Sequence, residues 1–130
     1  MKSYKPLLED IKYNILLEMS SRRRLALNHI SNQMASLFFH LIAIEELGKK
    51  DKDYKHHVSE IEGIKRKINR YNRSKNKPKK KWFSINFIKE LIKQEDYIED
   101  AIDEFIKRYK YPPNNKYESL ENFTWFNLFE

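Results

Sequence analysis

With 130 residues, a net charge of +7, two glycines, four prolines and no cysteine, the chain is sized for one domain and lacks the turn chemistry that many short strands require. The absence of Cys excludes disulfides and thiolate metal sites and suits a reducing cytoplasm. The most apolar run, residues 37–44, falls far short of the roughly 20 residues that span a bilayer, and residues 1–19 mix charge with apolar positions, unlike a signal peptide. A cytoplasmic protein without a membrane partner is expected. Abundant Lys, Glu, Leu and Ile favour helices.

The predicted elements are all helical. From about Lys5, with Pro6 near the first turn, the positions Leu8, Ile11, Ile15, Met19, Ala26 and Ile30 keep near-heptad spacing. Ser20-Ser21-Arg22-Arg23-Arg24 interrupts this pattern, and the spacing leaves open whether the helix continues through the arginines or stops at the serines. A turn or kink near Ser31-Asn32 is expected to begin a central helix. Nine of the thirteen residues in 35–47 are apolar, on nearly all sides, so this helix must be covered by several neighbours. Glu45–Lys49 and Glu46–Lys50 have the favourable i,i+4 order, and Gly48 is suited to a left-handed cap.

A third helix is predicted from Asp51 or Asp53 to about Arg73, with Tyr54, Val58, Ile61, Ile64 or Lys65, Ile68 and Tyr71 as its apolar stripe. Gly63 inside it suggests a closely crossing neighbour. Residues 74–81 form a polar, Pro-containing basic linker. Ser84 is a good N-cap for a fourth helix reaching about Lys110, its inner face Ile88, Leu91, Ile92, Ile98, Ile102, Phe105 and Tyr109, with Pro112-Pro113 as the stop. Residues 117–130 hold Leu120, Phe123, Trp125, Phe126, Leu128 and Phe129, too apolar for a disordered end. The architecture predicted is an all-α four-helix bundle over residues 1–110 with an aromatic C-terminal appendage, 111–130, that docks on it or binds a protein partner.

The charge is localised. Residues 65–81 hold ten basic side chains and no acidic one, whereas the rest of the chain carries 16 basic and 19 acidic residues. Lys65, Arg66, Arg70, Arg73, Lys79, Lys80 and Lys81, with Tyr71, Trp82 and Phe83 available to stack on bases, have the pattern of an RNA- or other nucleic-acid-binding arm; a solvated basic face is the bland alternative. His40, with Ser36 one turn earlier, reads as a hydrogen-bonded core histidine, and His56 and His57 as surface residues of a first helical turn. Asp53 and His56 have an i,i+3 carboxylate–histidine spacing, but such bundle sites use two motifs and no further His follows His57. No metal and no cofactor are expected.

Ala43-Ile44-Glu45-Glu46-Leu47-Gly48-Lys49 resembles the Glu-Glu-Leu-Gly-Lys signature of the AbiV-type abortive-infection family, within the HEPN superfamily of helical bundles. That family's next helix carries a His and lysines, for which His56 or His57 and Lys65 are the nearest counterparts. The resemblance covers about residues 30–70. It implies an HEPN-like bundle and a role in phage defence, by binding a protein or RNA target and interfering with translation. It also implies a homodimer. HEPN ribonucleases use an Arg-x(4–6)-His motif without metal, and Arg24-Leu-Ala-Leu-Asn-His29 matches it, as do Arg22 and Arg23 paired with His29. A metal-independent ribonuclease using Arg24 and His29 is thus one alternative, with His as acid or base and Arg on the phosphate. A non-enzymatic nucleic-acid-binding or adaptor bundle is another.

Overall fold

The computed structural model describes residues 20–73, 80–118 and 123. It is an all-α bundle of four helices among these residues: α1 (Ser21–Leu47), α2 (Tyr54–Tyr71), α3 (Ile85–Gln94) and α4 (Tyr97–Tyr109). The predicted helix over residues 5–19 lies outside the described residues.

The serines settle where α1 begins. Ser20 is extended and its hydroxyl accepts the Arg23 N–H at 3.2 Å, a side-chain cap on one of the donors that every helix start leaves unpaired. All three arginines therefore lie inside the first turn. The break expected at Ser31-Asn32 does not occur, and α1 runs 27 residues without interruption. Ser31 is accommodated because its hydroxyl finds a partner across the bundle, the Tyr97 hydroxyl. Ile30, Met34, Leu37, Phe38, Phe39, Ile42 and Ala43 are all buried, as the apolar coverage of this stretch required.

α1 packs against α2 and α4. Contacts between side chains give the directions: His29 meets Tyr71 and His40 meets the His57 ring, so α2 runs antiparallel to α1. Tyr97 meets Ser31 and Arg108 lies over Phe39, so α4 runs parallel to it. Gly48 ends α1 with φ 78° and ψ 168°, a positive-φ conformation with ψ near the region essentially reserved for glycine. Because the helix stops at Leu47, Lys49 and Lys50 are no longer one turn above Glu45 and Glu46. The expected i,i+4 pairs are absent among the described residues, and Glu46 instead accepts from the chain near residue 115.

Two further expectations are corrected. Among the described residues Gly63 faces no crossing neighbour: a Cβ there would meet only the Arg66 guanidinium, 4.0 Å away. The single helix expected over 84–110 is two helices, separated by an extended Glu95 (φ −108°, ψ 156°) and Asp96. The reason is the apolar phase. Continuing the stripe of Ile88, Leu91 and Ile92 by three- and four-residue steps would carry Glu95 and Glu99 into the core, a costly burial of charge. The break resets the phase, so that Tyr97, Ala101 and Phe105 face inward while Ile98 and Ile102 are half-buried. Ser84 caps α3 as expected, accepting from Phe87 N–H at 3.1 Å.

Of the C-terminal segment, Tyr117 and Phe123 are buried, stacked on each other, and Phe123 packs on Phe38. Leu120, Trp125, Phe126, Leu128 and Phe129 lie outside the described residues. Among the described residues no helix is long and apolar enough to cross a membrane.

Candidate functional site

Two regions gather the polar chemistry, one at each end of α2. At its C-terminal end, Asn72 is 5% exposed and clamps the returning chain. Its side-chain amide donates to the Phe83 carbonyl at 2.9 Å, and its side-chain oxygen accepts the Phe83 N–H at 2.8 Å. Its own carbonyl takes the Trp82 N–H at 2.7 Å. An isolated antiparallel bridge pairs Arg73 with Lys81. Both ends of the basic segment are thereby fixed side by side.

This clamp assembles most of the predicted basic residues. Arg66 and Arg70 are exposed and one turn apart on α2, Arg73 follows in the bridge, and Lys80 and Lys81 are exposed beside it. Lys65 is half-buried; Lys79 lies outside the described residues. The start of α1, with exposed Arg22 and Arg24, meets the same end, since Arg23 lies 5.0 Å over the Phe83 ring and His29 stacks on Tyr71 at 4.5 Å. The aromatics are differently deployed than expected. Phe83 is fully buried and stacked on Phe87, and Tyr71 is taken by His29. Only Trp82, half-buried, is left of the three as a stacking surface.

Arg24 and His29 do not share a helix face. Five residues apart on a continuous helix, they are separated by about 140° around its axis. Arg24 is exposed, and the partly buried His29 ring lies against Tyr71.

At the other end of α2 lies a hydrogen-bonded chain that the sequence did not reveal. His57, expected at the surface, is 1% exposed. It takes the inward position that the stripe had assigned to Val58, which is exposed. Burial is tolerable because both ring nitrogens are paired: Nδ1 with Nδ1 of His40 at 2.7 Å, and Nε2 with the Tyr109 hydroxyl at 2.7 Å. That hydroxyl donates to Asp53 Oδ2 at 3.4 Å. A carboxylate can only accept, so it sets the direction of the whole chain. Tyr109 donates to Asp53, His57 Nε2–H donates to Tyr109, and His40 Nδ1–H donates to His57. His40 Nε2 is then left unprotonated. His40 is the buried, hydrogen-bonded histidine expected, but its partner is His57 and not Ser36.

Burial lowers the His40 pKa to about 4, with the neighbouring His57 adding to the effect. Burial and His56 lower that of His57. Tyr109 is pushed up to about 12 by burial and by Asp53. At neutral pH the two imidazoles and the Tyr109 hydroxyl are therefore in the states the chain of bonds requires. His40 also lines a cleft of about 550 Å³ between α1, α2 and α4, with Phe39, His56, Glu60, Asp100, Glu104 and Arg108 on its walls. The exposed His56 and the Asp53 carboxylate do not form a metal set: among the described residues no group of three or more His, Asp or Glu could hold a metal ion.

The residues of the Glu-Glu-Leu-Gly-Lys string also find places. Glu46 binds the segment after α4, accepting from the Asn114 and Asn115 N–H groups, from Asn115 Nδ2 at 2.8 Å and from the Tyr117 hydroxyl at 3.0 Å. Gly48 caps α1; Glu45 and Lys49 lie at its end. Compared with known proteins, the chain matches no family model, no curated protein and no solved structure.

Two features were hidden in the sequence. Asn72 looked like one of several polar residues in a basic run, and nothing local shows that its side chain mimics a backbone strand. The His40 signal was available: an imidazole within an apolar helix run must find a buried polar partner, and a neighbouring helix with two histidines is where to seek it.

Proposed function

We propose that this bundle binds single-stranded nucleic acid, RNA foremost, through its basic end, and that it serves in phage defence of the abortive-infection kind by interfering with translation. The observation that carries the binding reading is the Asn72 clamp. It sets Arg66, Arg70 and Arg73 beside Lys80 and Lys81, next to the basic start of α1. Guanidinium and ammonium groups spread over one end neutralise successive phosphates, and the release of condensed counterions supplies the affinity. Trp82 offers a flat surface for one base, worth about 1–3 kcal/mol. The defence role is supported by the resemblance of residues 43–49 to the abortive-infection signature.

Fluorescence anisotropy with labelled oligouridylate tests the binding. Five phosphate contacts predict a log–log salt slope of about −3.5. Replacing Arg66, Arg70, Arg73, Lys80 and Lys81 with Gln should abolish most of that slope along with the affinity. An unchanged slope in this variant would overturn the reading. Inhibition of a cell-free translation reaction by the wild-type protein, lost in the same variant, tests the defence role.

A further inference from the structure

Gly63 sits in the middle of α2, and nothing among the described residues accounts for it. Glycine in a helix interior is less stable than alanine, because it gives up more backbone freedom on folding and leaves the helix backbone open to water. No left-handed conformation demands it, since the positive-φ glycine of the chain is Gly48. Nor does crowding demand it: a Cβ at residue 63 would meet only the flexible end of Arg66, at an ordinary contact distance of 4.0 Å. A bare backbone at such a position serves a neighbour that comes closer than a side chain would allow. Within the described chain that neighbour is missing, and the surface around the glycine is open: Ser59, Glu60, Arg66 and Lys67, three and four residues to either side, are all exposed.

The charges about Gly63 say what that neighbour is. Glu60 and Glu62 precede it, and Lys65, Arg66 and Lys67 follow it. A helix face that is acidic before its centre and basic after it is complementary to itself turned end for end. With two copies of α2 antiparallel about Gly63, the helical repeat sets Glu60 of each copy opposite Lys67 of the other and Ser59 opposite Arg66. A parallel pair would instead set Arg66 against Lys67 across the contact, which like-charge repulsion opposes. Ser59 and Gly63 are small residues four apart, the spacing that lets two helix backbones approach. We propose that this face of α2 binds a second copy of the chain, the two helices crossing antiparallel at Gly63. The contact does not rest on nucleic-acid binding: Arg66 alone of those basic residues borders it, and the two Asn72-clamped ends point away from each other.

Analytical ultracentrifugation of the full chain at low salt tests the proposal. A dimer fraction that grows between about 10 μM and 1 mM is expected of an interface this small. Gly63→Leu, which the open space at residue 63 accommodates in the single chain, should stay monomeric throughout, with its helical circular dichroism unchanged. Glu60→Lys and Lys67→Glu each turn two attractive pairs into repulsive ones and should weaken the dimer about tenfold. Mixed in equal amounts, these two variants should associate with each other, because each then supplies the charge that the other needs at both pairs. A wild-type chain still monomeric at about 1 mM, a Gly63→Leu dimer as tight as wild type, or no association on mixing the two charge variants would each overturn the assignment.

Discussion

Acidification should loosen this bundle through His40. The ring has an ordinary pKa of 6.5 in the unfolded chain and about 4 in the fold, because burial and the neighbouring His57 disfavour its charged form. Between those values the unfolded chain binds more protons than the folded one, so stability rises with pH across this window. The contribution is complete above pH 6.5 and is lost progressively as pH falls toward about 4. The interval corresponds to at most ~3 kcal/mol, a sizeable share of the 5–15 kcal/mol typical of a domain. His57 shifts in the same direction, but the two rings share one hydrogen bond, so their effects do not add. Urea unfolding at a series of pH values between 7 and about 4.5 measures the slope. In His40→Asn the titrating ring is gone, and the amide can replace the Nδ1–H donor. That variant should lose much of the wild-type pH dependence in this window. Identical slopes in the two proteins would refute the assignment of this stability to His40.

Two other substitutions probe the fixed segments. Asn72→Ala strands the buried Phe83 N–H and C=O and should cost about 2–4 kcal/mol in urea unfolding; it should also shrink the salt slope of RNA binding, since residues 80–82 lose their anchor. Glu46→Ala removes the shared acceptor of Asn114, Asn115 and Tyr117. A loss of about 1–2 kcal/mol and faster amide exchange at residues 114–117 are expected. The Tyr117 hydroxyl, pushed up to about 12 with burial first and Glu46 contributing, should titrate lower in that variant.

What could be read from the sequence was what depends on one helix at a time. The apolar girdle of residues 35–47 demanded burial, Ser84 capped a helix, and Gly48 ended one, because each rests on local geometry. The misplaced boundaries arose where a partner far along the chain decided the outcome. Ser31 looked like a turn residue until Tyr97 supplied its hydrogen bond. Val58 fitted the stripe better than His57 until His40 and Tyr109 offered the imidazole a partner at each nitrogen. The 84–110 stretch read as one helix because each half is well patterned, and only following the phase across Glu95 exposes the conflict. The basic arm was visible as composition, whereas its shape depends on Asn72, whose role is defined by residues eleven positions away.

The central claim, that nucleic acid is bound at the Asn72-clamped end, is tested most directly by mapping amide NMR shifts on titration with oligouridylate. Shifts should concentrate in the last two turns of α2, in residues 80–82 and in the first turn of α1, leaving the amides around His40, Glu60 and Glu104 unmoved. Shifts centred on that cleft, or none anywhere at concentrations that saturate other basic RNA-binding domains, would contradict it.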